Sequence, residues 1–232
     1  MPKVIAKVIR RAVLFGPLIP NTAWLSQKIR EHKLVGTDLR IGVDGGVKFW
    51  GSVNIPPEIV IGDWDSLGYD PAKDPNNQDA QNLTLPHRKA RSDLHYAMEV
   101  LFKTEIKDIL LIGFTGGRPD HSLSNLMELA HYAQGKRAQK IASIGPEAEY
   151  YWVSPGHPLE LSAPRIRKGQ TVSVFAWDGP ATGVNLEGLE YRVKEKILLP
   201  CSRGLSNVVK KDTVRISVKK GLVLFVIPLG EK

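Results

Sequence analysis

Three runs in the first half of the chain are apolar at every position: AVLF (12–15), IVI (59–61) and ILLIGF (109–114). A strand with one wet face alternates polar and apolar residues. Strands that do not alternate are covered on both faces, which is the habit of parallel sheets flanked by helices. Leu39–Val43 and Lys140–Ile144 complete the series. The intervening segments read as helices. Asn21-Thr22 caps one that carries Ala23, Trp24, Leu25 and Ile29, and Ser92 caps one with Leu94, Ala97, Met98 and Leu101 on one face. A third is expected from about Ser122 to Gln134. Strand–helix alternation of this kind predicts an α/β domain with a mostly parallel sheet and helices on both faces.

Past Gly145-Pro146 the texture changes. EYYWVS, PLELSA, TVSVFAW, VRISV and LVLFVIP are short β-rich runs divided by Pro/Gly turns. They predict an all-β, sandwich-like second domain. The expected division is residues 1–146, α/β, and 147–232, β.

The chain has 232 residues, enough for either arrangement to bury a core. No apolar run approaches the ~20 residues of a membrane span. The start, MPKVIAKVIRR, lacks the apolar stretch and cleavage site of a signal peptide. The single cysteine, Cys201, excludes an internal disulfide and a cysteine metal cage; it reads as a packed thiol in a cytoplasmic protein. The net charge of +8 is scattered, with small clusters at Arg10–Arg11, Arg88–Lys89–Arg91 and Lys210–Lys211. Scattered basic charge suits solubility and a small phosphorylated ligand. Neither a nucleic acid nor a membrane is expected as partner.

In parallel α/β sheets ligands bind at the carboxyl ends of the strands. Asp44, Asp63, Asp65 and the Thr115–His121 loop all follow expected strands, so they are expected to converge on one edge. Asp63 and Asp65, read as extended chain, point to the same side, with Trp64 a packing residue on the other. Such a pair either caps a turn or shares a hard cation such as Mg²⁺. Asp93, just after the Ser92 cap, complements a helix dipole or, with Lys89 and Arg91 nearby, faces a polyphosphate. Asp44-Gly45-Gly46 is either a tight turn or a place where a nucleotide approaches the backbone. In GFTGGRPDHSLSN (113–125), Gly116 and Gly117 let amides near an anion, Arg118 offers a planar fork, and Asp120 and His121 open a helix. The loop is neither a P-loop nor the dinucleotide fingerprint. The other histidines, His87 among them, lack metal-ligand spacing and read as ordinary surface or core residues.

VDGG (43–46), IGDWDS (61–66), RSDLHYAM (91–98) and GFTGGRPDHSLSN, followed by GVNLEGLEYRV (183–193) and Ser206-Asn207, stand in an order that resembles the thiamine pyrophosphokinase family from the first strand to the last. The resemblance implies transfer of the β,γ-pyrophosphoryl group of ATP to the thiamine hydroxyl, with release of AMP. It implies Mg²⁺ as cofactor, an N-terminal domain that binds ATP, a C-terminal domain that helps hold thiamine, and a homodimer with the active site at the interface. Carried over by motif, Asp63, Asp65 and Asp93 hold the metal. Asp44, Gly45, Gly46, Lys89, Arg91, Thr115, Gly116 and Gly117 face the nucleotide. Asp93, Arg118 and Asp120 act on the reacting groups, with Asp93 or Asp120 accepting the hydroxyl proton. Ser206, Asn207 and His121 lie near thiamine. The chain departs from the family at Ala90, where an acid is usual, and at Val208-Val209, where an aromatic residue often follows the Ser-Asn pair. Those departures admit two alternatives: a relative acting on another heterocyclic alcohol, and a non-catalytic nucleotide- or thiamine-binding protein. A phosphatase with Asp63 as nucleophile also fits an apolar strand ending in D-x-D, but gives the TGGRPDH loop no role.

Overall fold

The computed structural model describes residue 9 and residues 11–35, 38–65, 67–134 and 139–230. Arg10 of the first basic cluster and Ser66 of the IGDWDS motif lie outside the described residues. The chain packs as two compact units, one running to Ile112 and the other from Gly113; the change of texture near Gly145 falls inside the second.

The first unit contains β1 (Arg11–Phe15), α1 (Thr22–Glu31), β2 (Leu39–Val43), α2 (Lys48–Ser52), β3 (Ile59–Gly62), β4 (Gln81–Thr84), α3 (Asp93–Phe102) and β5 (Asp108–Ile112). Its strands are all parallel, in the order β5-β1-β2-β3-β4. Ala12, Val13, Leu14 and Phe15 are each fully buried, so both faces of the central strand are covered, as its unbroken apolarity requires. The helix caps fall where the side chains dictate. Asn21 Oδ1 accepts from the Trp24 amide at 2.9 Å, and Ser92 Oγ accepts from the His95 amide at 3.2 Å. Beyond β1 the order reverses between β2 and β5, which makes the carboxyl ends of these strands the natural place for a ligand.

The second unit holds α4 (Pro119–Tyr132), β6 (Lys140–Ile144), β7 (Ala148–Val153), β8 (Leu159–Ser162), β9 (Thr171–Ala176), β10 (Ala181–Glu187), β11 (Val193–Leu198), β12 (Asn207–Val208), β13 (Thr213–Ser217) and β14 (Val223–Pro228). Strands β6-β7-β14-β9-β12 pair antiparallel, and β11-β10-β13-β8 form a second antiparallel sheet. The second sheet buries one face. Leu159, Leu161, Val214 and Ile216 point inward, while Glu160 and Arg215 pair across the strands outside at 2.9 Å. The expected class, parallel α/β followed by antiparallel β, is what the chain adopts. Helix α4 begins at Pro119, three residues before the expected start, because proline presets the dihedral of a first helical turn.

Candidate functional site

β3 ends where its apolar run ends, and Asp63 follows it with only 8% of its surface exposed. A carboxylate this enclosed needs a partner. Lys89 is that partner: its ammonium donates to Asp63 Oδ2 and stands 3.3 Å from Asp93 Oδ1. Burial opposes charge on all three groups. At Asp63 the hydrogen bonds from Lys89 and the Asp65 amide outweigh it, so the carboxyl titrates below its ordinary value. At Lys89 the two carboxylates likewise outweigh burial and hold the ammonium charged above its usual range. At Asp93 burial prevails despite Lys89, and the negative Asp63 and Asp44 push the same way, so this carboxyl is raised. One lysine is shared unequally: Asp63 keeps its charge, and Asp93 is the readier to take a proton. Arg91 is exposed and lies against the His95 ring, with Nη1 3.2 Å from Nε2.

The expected extended geometry of Asp63–Asp65 is not what forms. Trp64 adopts a left-handed backbone, φ 63°, so the chain turns at once after β3. The turn lets the Asp65 amide reach Asp63 Oδ1 at 3.4 Å. The indole folds back over Gly62, where a Cβ would meet it at 2.8 Å, and Nε1 donates to Thr84 Oγ1 at 3.2 Å. Trp64 is thus a packing residue, as expected, but through a turn. The two carboxylates still come together, and His87 joins them: one donor atom from each of Asp63, Asp65 and His87 lies within 4.8 Å of the others. Two carboxylate oxygens and an imidazole nitrogen suit a divalent cation. Spacing along the sequence does not reveal His87 as a ligand, because its neighbours are set by strand pairing.

Asp44-Gly45-Gly46 is not a simple turn. It forms a short 3₁₀ helix, Asp44–Val47, that runs into α2, with Asp44 itself at φ 47°. A Cβ on Gly46 would collide with the carbonyl oxygen of Phe15, so the close approach at this glycine is to the backbone of β1.

The Thr115–His121 loop belongs to the second unit. Gly116 (φ 112°) and Gly117 (φ 64°) take conformations that favour glycine. Ser122 Oγ accepts from the Gly116 amide at 2.9 Å, and Asn125 Nδ2 donates to the Phe114 carbonyl at 2.7 Å, so the SLSN stretch of α4 clamps its own loop. Thr115 is buried, and its hydroxyl finds no hydrogen-bond partner among the described residues. Arg118 and Asp120 are exposed and close on one another, Nε–Oδ1 at 3.2 Å and Nη2–Oδ2 at 2.6 Å. That fork pulls the Asp120 carboxyl down to about 2. His121 is exposed in the first turn of α4.

Ser206 is exposed at φ 55°, its amide bonded to Ser173 Oγ at 3.2 Å. Asn207 is buried. Its Oδ1 accepts from the Tyr191 amide at 3.0 Å and its Nδ2 donates to the Tyr191 carbonyl at 3.0 Å. This clasp fixes the backbone at Tyr191, whose side chain is left 69% exposed. Val209 is fully buried and bridged to Leu189, so the family departure there lies in the core. Cys201, expected to be packed, is exposed, because it sits in the irregular segment between β11 and β12.

Residues 31–141 match the family model described as thiamin pyrophosphokinase, catalytic domain, and residues 159–223 match the one described as thiamin pyrophosphokinase, vitamin B1 binding domain. Thiamine pyrophosphokinase 1 of rice (Oryza sativa subsp. japonica) is 22% identical over 176 residues, 72% of this chain and 64% of the rice protein. Less than two thirds of that relative is therefore spanned. Thiamine pyrophosphokinase of Bacillus subtilis is 24% identical over 189 residues, 81% of this chain and 86% of the relative. The crystal structure of the thiamine pyrophosphokinase from B. subtilis superposes with a TM-score of 0.76 at 21% identity, covering 96% of this chain and all of that one.

Proposed function

The chain belongs to the thiamin pyrophosphokinase family, and on that premise we propose that it transfers the pyrophosphoryl group of ATP to the hydroxyl of thiamine. The hydroxyl oxygen bonds to the β-phosphorus, the bond from that phosphorus to the α–β bridging oxygen breaks, and AMP leaves. The observation that carries this reading is the Asp63–Lys89–Asp93 cluster, with Asp63 buried and Asp93 half-buried, beside Asp65 and His87 at the end of a parallel strand. Phosphoryl chemistry of this kind depends on positioning and on neutralising charge. Mg²⁺, held by Asp63 and Asp65, would supply a counter-charge to the polyphosphate. Asp93 accepts the hydroxyl proton. Its raised pKa makes it a competent base, whereas Asp120, pulled down to about 2 by Arg118, is a poor one. The roles that the motifs imply for Arg118, toward phosphate oxygens, and for Ser206, toward the acceptor, are kept in this reading; both lie in the second unit.

The protein works as a cytoplasmic homodimer in this reading. Leu123 and Met127, 56% and 60% exposed, are one turn apart on α4, and Ile197, Leu199 and Leu205 are exposed in the second unit as well. Exposed apolar residues in such number support a contact with a second copy. Incubation with ATP, Mg²⁺ and thiamine is expected to give AMP and thiamine diphosphate in equal amounts. Orthophosphate or ADP as the only nucleotide-derived product would overturn the assignment.

A further inference from the structure

The strand register explains how His87 reaches Asp63 and Asp65. β3 and β4 run parallel with Gly62 opposite Thr84, and the pairing continues as the Leu85 amide donates to the Gly62 carbonyl at 2.8 Å. The residues just past β4 therefore run beside the residues just past β3. Of Leu85, Pro86 and His87, only the last carries a donor side chain. Its ring makes no hydrogen bond to another described residue, and one of its nitrogens lies within 4.8 Å of a carboxylate oxygen from each aspartate. Ala90 has no donor atom, and Lys89 engages Asp63 and Asp93 alike, so Asp65 and His87 are the donors of this corner that no described ammonium holds. Asp65 has no cationic partner among the described residues, although it shares this corner with a second carboxylate.

We propose that His87 is a direct ligand of the divalent cation at this site, and that the site therefore takes Mn²⁺ or Co²⁺ more tightly than Mg²⁺. The proposal rests on the pyrophosphotransfer reading of the same site. Mg²⁺ holds to oxygen donors and to its own waters. First-row transition ions rise in affinity for sites with nitrogen donors from Mn²⁺ to Co²⁺, and a mixed O, O, N donor set draws on that preference where Mg²⁺ does not. With three protein donors, the remaining coordination positions are left to water and phosphate oxygens.

Tag-free protein without nucleotide, loaded with Mn²⁺, tests this directly by pulsed electron paramagnetic resonance. ¹⁴N modulation from a bound imidazole is expected in the wild type and absent in His87→Gln. The variant should bind Mn²⁺ about tenfold or more weakly and keep its circular-dichroism spectrum, since His87 is exposed. Competition between Mn²⁺ and Mg²⁺ should favour Mn²⁺ in the wild type, and the ratio should fall by about tenfold or more in the variant. Absence of Mn²⁺ binding, absence of ¹⁴N modulation in the wild type, or its persistence in His87→Gln would overturn the proposal. AMP formation with thiamine, measured on the same preparation, separates the two ideas. AMP without nitrogen coupling removes His87 and leaves pyrophosphotransfer; nitrogen coupling without AMP keeps the His87 site and removes the reaction.

Discussion

Lys89 has two carboxylate partners and compensates one of them better than the other. Its hydrogen bond to Asp63 keeps that group ionised in a site where burial alone would neutralise it, while Asp93 is left raised. Lys89→Met removes the only cation between them among the described residues. We expect a loss of about 2 kcal/mol in urea unfolding at neutral pH, from a buried carboxylate left without its donor. A loss within error would show that water reaches Asp63 freely. Asp93→Asn keeps the shape of the side chain and removes the proposed base. AMP formation should fall roughly 100-fold or more with the urea midpoint little changed; an undiminished rate would move the proton acceptor elsewhere. Asp120 offers a pH prediction of known sign. Its folded pKa, about 2, lies below the ordinary carboxylate value, so its contribution to stability is complete above that ordinary value and is lost as pH falls through about 2. In Arg118→Gln the carboxyl resonance of Asp120, followed by NMR, should titrate near its ordinary value. A midpoint still near 2 would put the cause in the α4 N-terminus.

The elements divide into those that announce themselves in sequence and those that do not. The first group includes β1, β3 and β5, whose apolarity needs no partner to be recognised, and α1 and α3, whose caps are single side chains bonding three residues ahead. The second group is set by long-range contacts. Asp44-Gly45-Gly46 reads as a turn by composition, but forms helix because Gly46 is pressed on Phe15 of the neighbouring strand. Between β3 and β4 the chain makes two short 3₁₀ turns, held in part by buried Asn77 donating to the Pro71 carbonyl at 3.2 Å. His87 is the clearest case: its place beside Asp63 depends on which residues of β3 and β4 pair, and no local spacing encodes a register. The left-handed turn at Trp64 was hidden for the same reason, being supported by Thr84 on the partner strand. Gly46→Ala tests this scale. Its Cβ would meet a backbone carbonyl that cannot swing aside, so we expect a loss of about 3 kcal/mol. Gly68, at φ 71° with nothing within 4 Å, should lose only about 1 kcal/mol as alanine. Equal losses in urea unfolding would show that the helix after β2 can shift away from β1.

At the scale of the molecule, charge and apolar surface carry different information. The net charge of +8 is not gathered into one feature. Arg11 is tied to Asp38 at 2.6 Å and to the carbonyls of His32 and Lys33, where it closes the end of α1; Lys210 pairs with Glu190 at 3.1 Å. Charges used in this way stabilise their own neighbourhoods and identify no partner. The exposed apolar residues are more informative, because water disfavours them individually and Leu123 and Met127 are adjacent on one helix face. A second copy of the chain would cover them, and the same helix begins with Arg118 bound to Asp120. Association through α4 would therefore lie beside the loop that the proposed reaction uses. Leu123→Lys with Met127→Lys should convert a dimer into a monomer in sedimentation velocity. It should also reduce thiamine diphosphate formation while leaving the circular-dichroism spectrum unchanged, since neither side chain is buried in the fold. A wild-type monomer would remove the dimer from the proposal. A dimer that survives both lysines would move its interface to the exposed Ile197, Leu199 and Leu205, where the same substitution would be the next measurement.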